Sequence, residues 1–115
     1  MKTLELKNDY LFAQYTDAYE LEPCLAYMQD IAEACRREAV TKVLCDVRGM
    51  QGKISVMDSF QLAVAGAVAF RGLQLAGVYR REEMDLFAET VIRNRGGNVR
   101  VFGDMDEAKA WLGVE

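Results

Sequence analysis

The residues whose types and spacing bear on chemistry gather in one stretch, Asp46-Val47-Arg48-Gly49-Met50-Gln51-Gly52-Lys53-Ile54-Ser55, closely followed by Asp58-Ser59. Two glycines, a lysine and a serine ahead of a helix suggest an anion cradle, because free backbone N–H groups and the helix dipole favour negative charge there. A Walker-type phosphate loop needs G-x-x-x-x-G-K-[ST], however, and here Val47 occupies the first glycine position while Ile54 follows Lys53. Turn formation by Gly49 and Gly52 is the simpler reading. A G-x-G-x-x-G dinucleotide fingerprint is also missing.

The sequence contains no histidine. That removes the usual neutral-pH general base, the Ser-His and Cys-His nucleophile pairs, and histidine-based zinc sites. Cys45 lies in an apolar run without a partner to stabilise a thiolate. Asp46 and Asp58 are carboxylates but form no arranged acid–base pair. The expectation is a protein that is not an enzyme and uses no metal and no cofactor. The three cysteines, Cys24, Cys35 and Cys45, form no Cys-x-x-Cys motif, and an odd count fits a reducing, cytoplasmic setting.

Composition narrows the partners. At 115 residues, 51% of them hydrophobic, the chain suits one domain, residues 1–115, with ample material for a core. A net charge of −4 argues against nucleic acid, whose phosphates are bound by clustered Lys and Arg. No secretory signal is expected, because no apolar stretch follows Lys2. The longest nearly apolar segment, 60–70, is too short for a membrane span, which needs roughly 20 residues.

The elements that position these residues follow from periodicity. Leu4 and Leu6 alternate with polar neighbours, Asn8-Asp9 offers a turn, and YLFAQYT continues, predicting a hairpin. Pro23 suits a first helical turn, and Cys24, Tyr27, Met28, Ile31 and Cys35 recur at helical spacing over 22–38. Cys24 and Cys35 then lie about three turns apart, roughly 16 Å, too far for a disulfide or shared metal. Val43–Val47 reads as a buried parallel strand. Ser55 and Asp58 are spaced as a capping pair for a helix to about Phe70, rich in alanine and glycine. A strand over 75–79 follows. Met84, Phe87, Ala88 and Val91 then predict a helix over 82–94, stopped by Gly96-Gly97. A last strand over 98–102 leads to a helix capped by Asp104, with Ala108, Trp111 and Leu112 facing inward.

The order ββαβαβαβα predicts an α/β fold with a mostly parallel five-stranded sheet and four helices. In such sheets ligands and partners meet the loops beyond the carboxyl ends of the strands. The candidate binding residues are therefore Asp46, Arg48, Gly49, Lys53, Ser55, Asp58 and Ser59, with Tyr79 and Arg80 from the neighbouring strand end.

The segments VLCDVRGM and MDSFQLAVAG, with the ending NRGGNVRVFGDMDEAKAWL, resemble the STAS domain (sulfate transporter and anti-sigma factor antagonist) in its small SpoIIAA-like bacterial branch. In that family a hydrophobic-Asp-hydrophobic strand leads to Asp-Ser-Ser-Gly at a helix start. The resemblance implies a SpoIIAA-like fold and a non-catalytic module that binds a protein partner or small ligand, some members being switched by serine phosphorylation. With Asp58-Ser59 on the Asp-Ser of the motif, Phe60 stands in place of the phosphorylated serine and Gln61 in place of the glycine. A homodimer is one form such partner binding takes. The branch also resembles the lipid-binding CRAL-TRIO fold, which implies as an alternative a carrier or sensor of a small apolar or lipid ligand. Its expected seat is beneath the Ala/Gly-rich helix and a Met84, Phe87 and Val91 face.

Overall fold

The computed structural model describes residues 1–84 and 86–115. Strands β1 (Lys2–Leu6) and β2 (Leu11–Tyr15) pair antiparallel, with Leu6 opposite Leu11. The connection is closed by the Lys7 N–H donating to the Tyr10 carbonyl at 2.9 Å. Helix α1 (Leu21–Glu38) carries Pro23 in its first turn, where no intrahelical N–H is needed. Strand β3 (Lys42–Asp46), helix α2 (Val56–Ala69) and strand β4 (Gln74–Val78) follow. Then come a 3₁₀ turn (Arg81–Glu83), helix α3 (Leu86–Asn94), strand β5 (Asn98–Phe102) and helix α4 (Met105–Leu112). The expected SpoIIAA-like element order and mostly parallel sheet are therefore present.

The strands lie in the order β1-β2-β3-β4-β5, antiparallel only between β1 and β2. Parallel neighbours joined in sequence by crossovers of one hand place every crossover helix on the same face. Accordingly Val43, Cys45, Leu75 and Val99 point into a core with α1, α2 and α3. Leu44, Ala76 and Val78, of the opposite phase, point the other way, onto Ala108 and Leu112 of α4. The alternation of strand side chains thus assigns each strand-end residue to one of two compartments.

The helix starts follow the expected chemistry. Ser55 Oγ accepts from the Asp58 N–H at 3.1 Å, and Asp104 Oδ1 accepts from the Asp106 N–H at 2.8 Å. The end of α1 departs from the usual residue choice. Ala39 adopts φ 55°, with its N–H bonded to Arg36 O and the Val40 N–H to Cys35 O, a Schellman ending with alanine where glycine is normal. Left-handed backbone costs an L-residue about 1–2 kcal/mol. Ala39→Gly is expected to raise stability by about 1 kcal/mol, the gain being offset in part by glycine's larger unfolded-state entropy. Urea denaturation checks this, and an unchanged or lower midpoint counts against it.

One expected boundary shifts. The third helix was predicted over 82–94, but Met84 has φ −64° and ψ 126° and precedes α3. The acidic cluster at 82–83 forms the 3₁₀ turn instead, and Asp85 lies outside the described residues. Met84 is therefore out of phase with the helix, and Phe87 turns outward while Val91 and Ile92 are buried.

Candidate functional site

The carboxyl edge of the sheet does collect the expected residues, but the fold divides them between the two compartments. Asp46 shares the parity of Leu44 and so faces the α4 side. It is 5% exposed. Its Oδ1 accepts from Arg48 Nε at 3.0 Å and from the Arg48 N–H at 3.1 Å, while Oδ2 accepts from Arg48 Nη2 at 2.9 Å. Burial by itself would raise the Asp46 pKa, yet the Arg48 hydrogen bonds and charge outweigh it and hold the carboxyl below its ordinary value. The pair is a fork joining the end of β3 to the loop that leaves it.

That loop is fastened from below. Gly49 runs so close to β2 that a Cβ there would stand 2.7 Å from Thr16 Cγ2. The Gln51 N–H donates to Asp17 O at 3.1 Å, and the Tyr19 N–H to Gln51 O at 2.7 Å, forming a parallel bridge to the β2–α1 connection. Arg80 reaches across from β4, its Nη2 3.4 Å from Met50 O, and its guanidinium lies 3.9 Å from Glu83. Gly52 supplies a left-handed turn at φ 87°, after which Lys53 is exposed. Ser55 caps α2, Asp58 occupies its first turn, and Ser59 faces inward at 4% exposure.

Ser59 and Tyr79 belong to a feature that the sequence reading did not find. Between the sheet and α1, α2 and α3 lies a cavity of about 130 Å³, walled by Tyr15, Tyr27, Cys45, Ala63, Phe70 and Gly77 among others. Ala63 and Gly77 add little side-chain volume to this wall, and a Cβ at Gly77 would meet the Tyr79 ring at 3.1 Å. The signal available in the sequence was the small residues on inward positions, opposite aromatic residues on β2 and α1.

The chemistry of the cavity wall is neutral. Tyr15 donates its hydroxyl to Ala18 O at 2.6 Å, and the Tyr27 hydroxyl is 2.6 Å from Thr3 O and 3.0 Å from Gln14 O. Burial pushes the Cys45 thiol up to about 12, and it raises Cys24 and Cys35 as well. These are protonated thiols at neutral pH. The cavity also corrects the expected seat of an apolar ligand. Met84 and Phe87 are not part of its wall, whereas Ala88 and Ile92 are. The volume lies below the roughly 300–1,000 Å³ of ordinary small-molecule pockets, so it offers no room for a lipid chain.

A second unexpected feature is outside. The inward face of α2 is Ser59, Leu62, Ala63, Gly66 and Ala67, yet its outward face is also apolar. Val56 is 78% exposed, Met57 68%, Val68 61% and Phe60 39%. The Phe60 ring lies 6.5 Å from that of Phe87, and the Arg95 guanidinium sits 5.6 Å from the Phe60 ring centre.

Four successive β–α turns around one mostly parallel sheet, with the last helix folded back on the opposite face, define the SpoIIAA-like class of α/β fold. One solved structure of similar fold is an uncharacterized protein of the DUF3478 family from Shewanella loihica PV-4, itself described as SpoIIAA-like. The two superpose with a TM-score of 0.58 over 97% of this chain and 92% of that one, at 18% sequence identity. No protein-family profile matches the chain, and no curated protein matches it in sequence. Among the described residues, no helix is long and apolar enough to cross a membrane.

Proposed function

We propose that this chain is a non-catalytic, STAS-like module that binds a protein partner on the outward stripe of α2, beside the loop from Asp46 to Ser59. The observation that carries the reading is the exposure of Val56, Met57, Phe60 and Val68 on a helix whose other face is already buried. A helix that is apolar all round is normally covered all round, and a contiguous exposed apolar patch marks an interaction surface. Leu86 and Phe87 of α3 extend the patch, and Arg95 gives it a cationic rim. The commitment of Asp46 to Arg48, and the raised thiol pKa values, support a role without covalent or acid–base chemistry. The net charge of −4 supports protein over nucleic acid as the partner.

Phe60→Ser is expected to weaken capture of the partner about 30-fold, as loss of a central aromatic anchor does, about 2 kcal/mol. Glu107→Ala, an exposed change on α4, is the control. Quantitative affinity capture with both variants, alongside sedimentation of the purified protein, reads the effect. A self-association abolished by Phe60→Ser identifies the partner as a second copy. Capture and sedimentation insensitive to Phe60→Ser refute the surface.

The cavity favours a second reading, in which the module holds a small apolar ligand between the sheet and its three covering helices.

A further inference from the structure

The wall of the cavity specifies its occupant more closely than apolarity alone. Five aromatic side chains border it: Tyr15, Tyr19, Tyr27, Phe70 and Tyr79. The Tyr15 and Tyr27 rings are already 5.2 Å apart and tilted by 40°, a ring contact that a third ring can extend. The wall also carries the sulfur-bearing side chains of Cys24, Cys45, Met28 and Met50, soft groups that pack favourably on aromatic edges. The hydroxyls of Tyr15 and Tyr27 are turned to backbone carbonyls. No charged side chain contributes to the wall among the described residues. A charged ligand group would therefore be desolvated there without compensation. In size, an engineered apolar cavity of about 150 Å³ stays dry and accepts benzene, and this one measures about 130 Å³.

We propose that the cavity is a binding site for a neutral, single-ring aromatic molecule. The inference rests on the small-apolar-ligand reading and narrows it to one chemical class. Access runs from the carboxyl edge of the sheet. Tyr19, Val47, Met50 and Tyr79 border both the cavity and a small cleft that continues to Gly52, Arg80 and Glu83. The loop fastened by Gln51 and Arg80 thus forms the rim, which gives the residues first singled out in the sequence a positional role at the mouth.

The test is a titration of isotope-labelled full-length protein with toluene, benzoate, cyclohexane and dodecanoate, followed by NMR and by thermal unfolding. Toluene is expected to give saturable shifts at methyl groups of Ala63, Ile92 and Val99 and a rise in Tm of several degrees. Benzoate and dodecanoate are expected to give neither, and cyclohexane is expected to bind at least several-fold more weakly than toluene. Ala63→Leu fills the space and is expected to abolish the toluene response. Ala88→Leu, at a half-buried position, fills it from α3 and serves if the first variant does not fold. Binding of cyclohexane or dodecanoate as tight as that of toluene overturns the aromatic assignment while leaving an apolar ligand in place. No response to any of the four probes, or a toluene response unchanged by both filling variants, overturns the cavity as a site altogether.

Discussion

Gly97→Ala is expected to destabilise the protein by about 3 kcal/mol, at the upper end of the overpacking range. Gly96, at φ 85°, and Gly97 end α3 in a Schellman turn: the Gly97 N–H donates to Ile92 O and the Gly96 N–H to Arg93 O, both at 3.0 Å. A Cβ on Gly97 would stand 2.4 Å from Ile92 Cγ2 and 3.0 Å from Ile92 O. The first clash involves a stiff β-branched side chain and the second the backbone of the turn itself, so neither yields without moving α3. Ile92 also borders the cavity, and its displacement transmits the change to the wall. Ile92→Leu removes the offending branch. The double variant is therefore expected to recover about 1 kcal/mol relative to additivity, a coupling that urea denaturation with an unchanged slope measures directly. Strict additivity of the two changes removes this explanation.

The same glycines show what sequence makes legible. Gly96-Gly97, Ser55 and Asp104 mark helix ends through local backbone chemistry, and the structure keeps each of those boundaries. The strand runs, and hence the sheet, were equally local. Two matters were not. Asp46 ends β3 and Tyr79 directly follows β4, but which compartment each faces depends on strand register, since one residue of phase moves a side chain through the sheet. The nine candidate residues therefore lie along one edge, but the sequence could not sort them between the two compartments. The cavity is a deficit of volume among residues from four strands and three helices. Small inward residues of α2 such as Ala63 give no sign of it on their own, and only the assembled wall shows the unfilled space. The outward apolarity of Val56, Met57 and Phe60 was visible in principle, but the alanine-rich periodicity of α2 drew attention to its inner face.

Arg48→Ala is expected to cost about 2–3 kcal/mol at pH 7, and the loss is expected to shrink as the solution is acidified. The Asp46 side chain is 7% exposed, and the guanidinium supplies its charge and two of its three hydrogen bonds. Removing one partner leaves a nearly buried carboxylate uncompensated; because Arg48 itself is half-exposed, water moderates the cost below the 3–5 kcal/mol typical of fully buried pairs. In the native protein the folded pKa of Asp46 lies below its unfolded value near 3.9, so the pair's contribution is complete above that pH and is lost as pH falls through the lower folded value. Without Arg48, burial governs, the folded pKa rises above the unfolded one, and protonation on acidification relieves the penalty. The difference in stability between the two proteins should consequently begin to narrow above the unfolded value of about 3.9, as pH falls through the variant's raised folded pKa, and continue narrowing down to the native protein's lower one. Asp46→Asn combined with Arg48→Ala removes both charges and is expected to lose less than Arg48→Ala alone, because no bare carboxylate remains. Thermal unfolding between pH 3 and pH 7 measures all three proteins. A penalty for Arg48→Ala that is constant across that range, or larger still in the double variant, would mean that Arg48 acts through packing rather than charge. The expected outcome makes the pair a strut that joins the end of β3 to the loop carrying Met50.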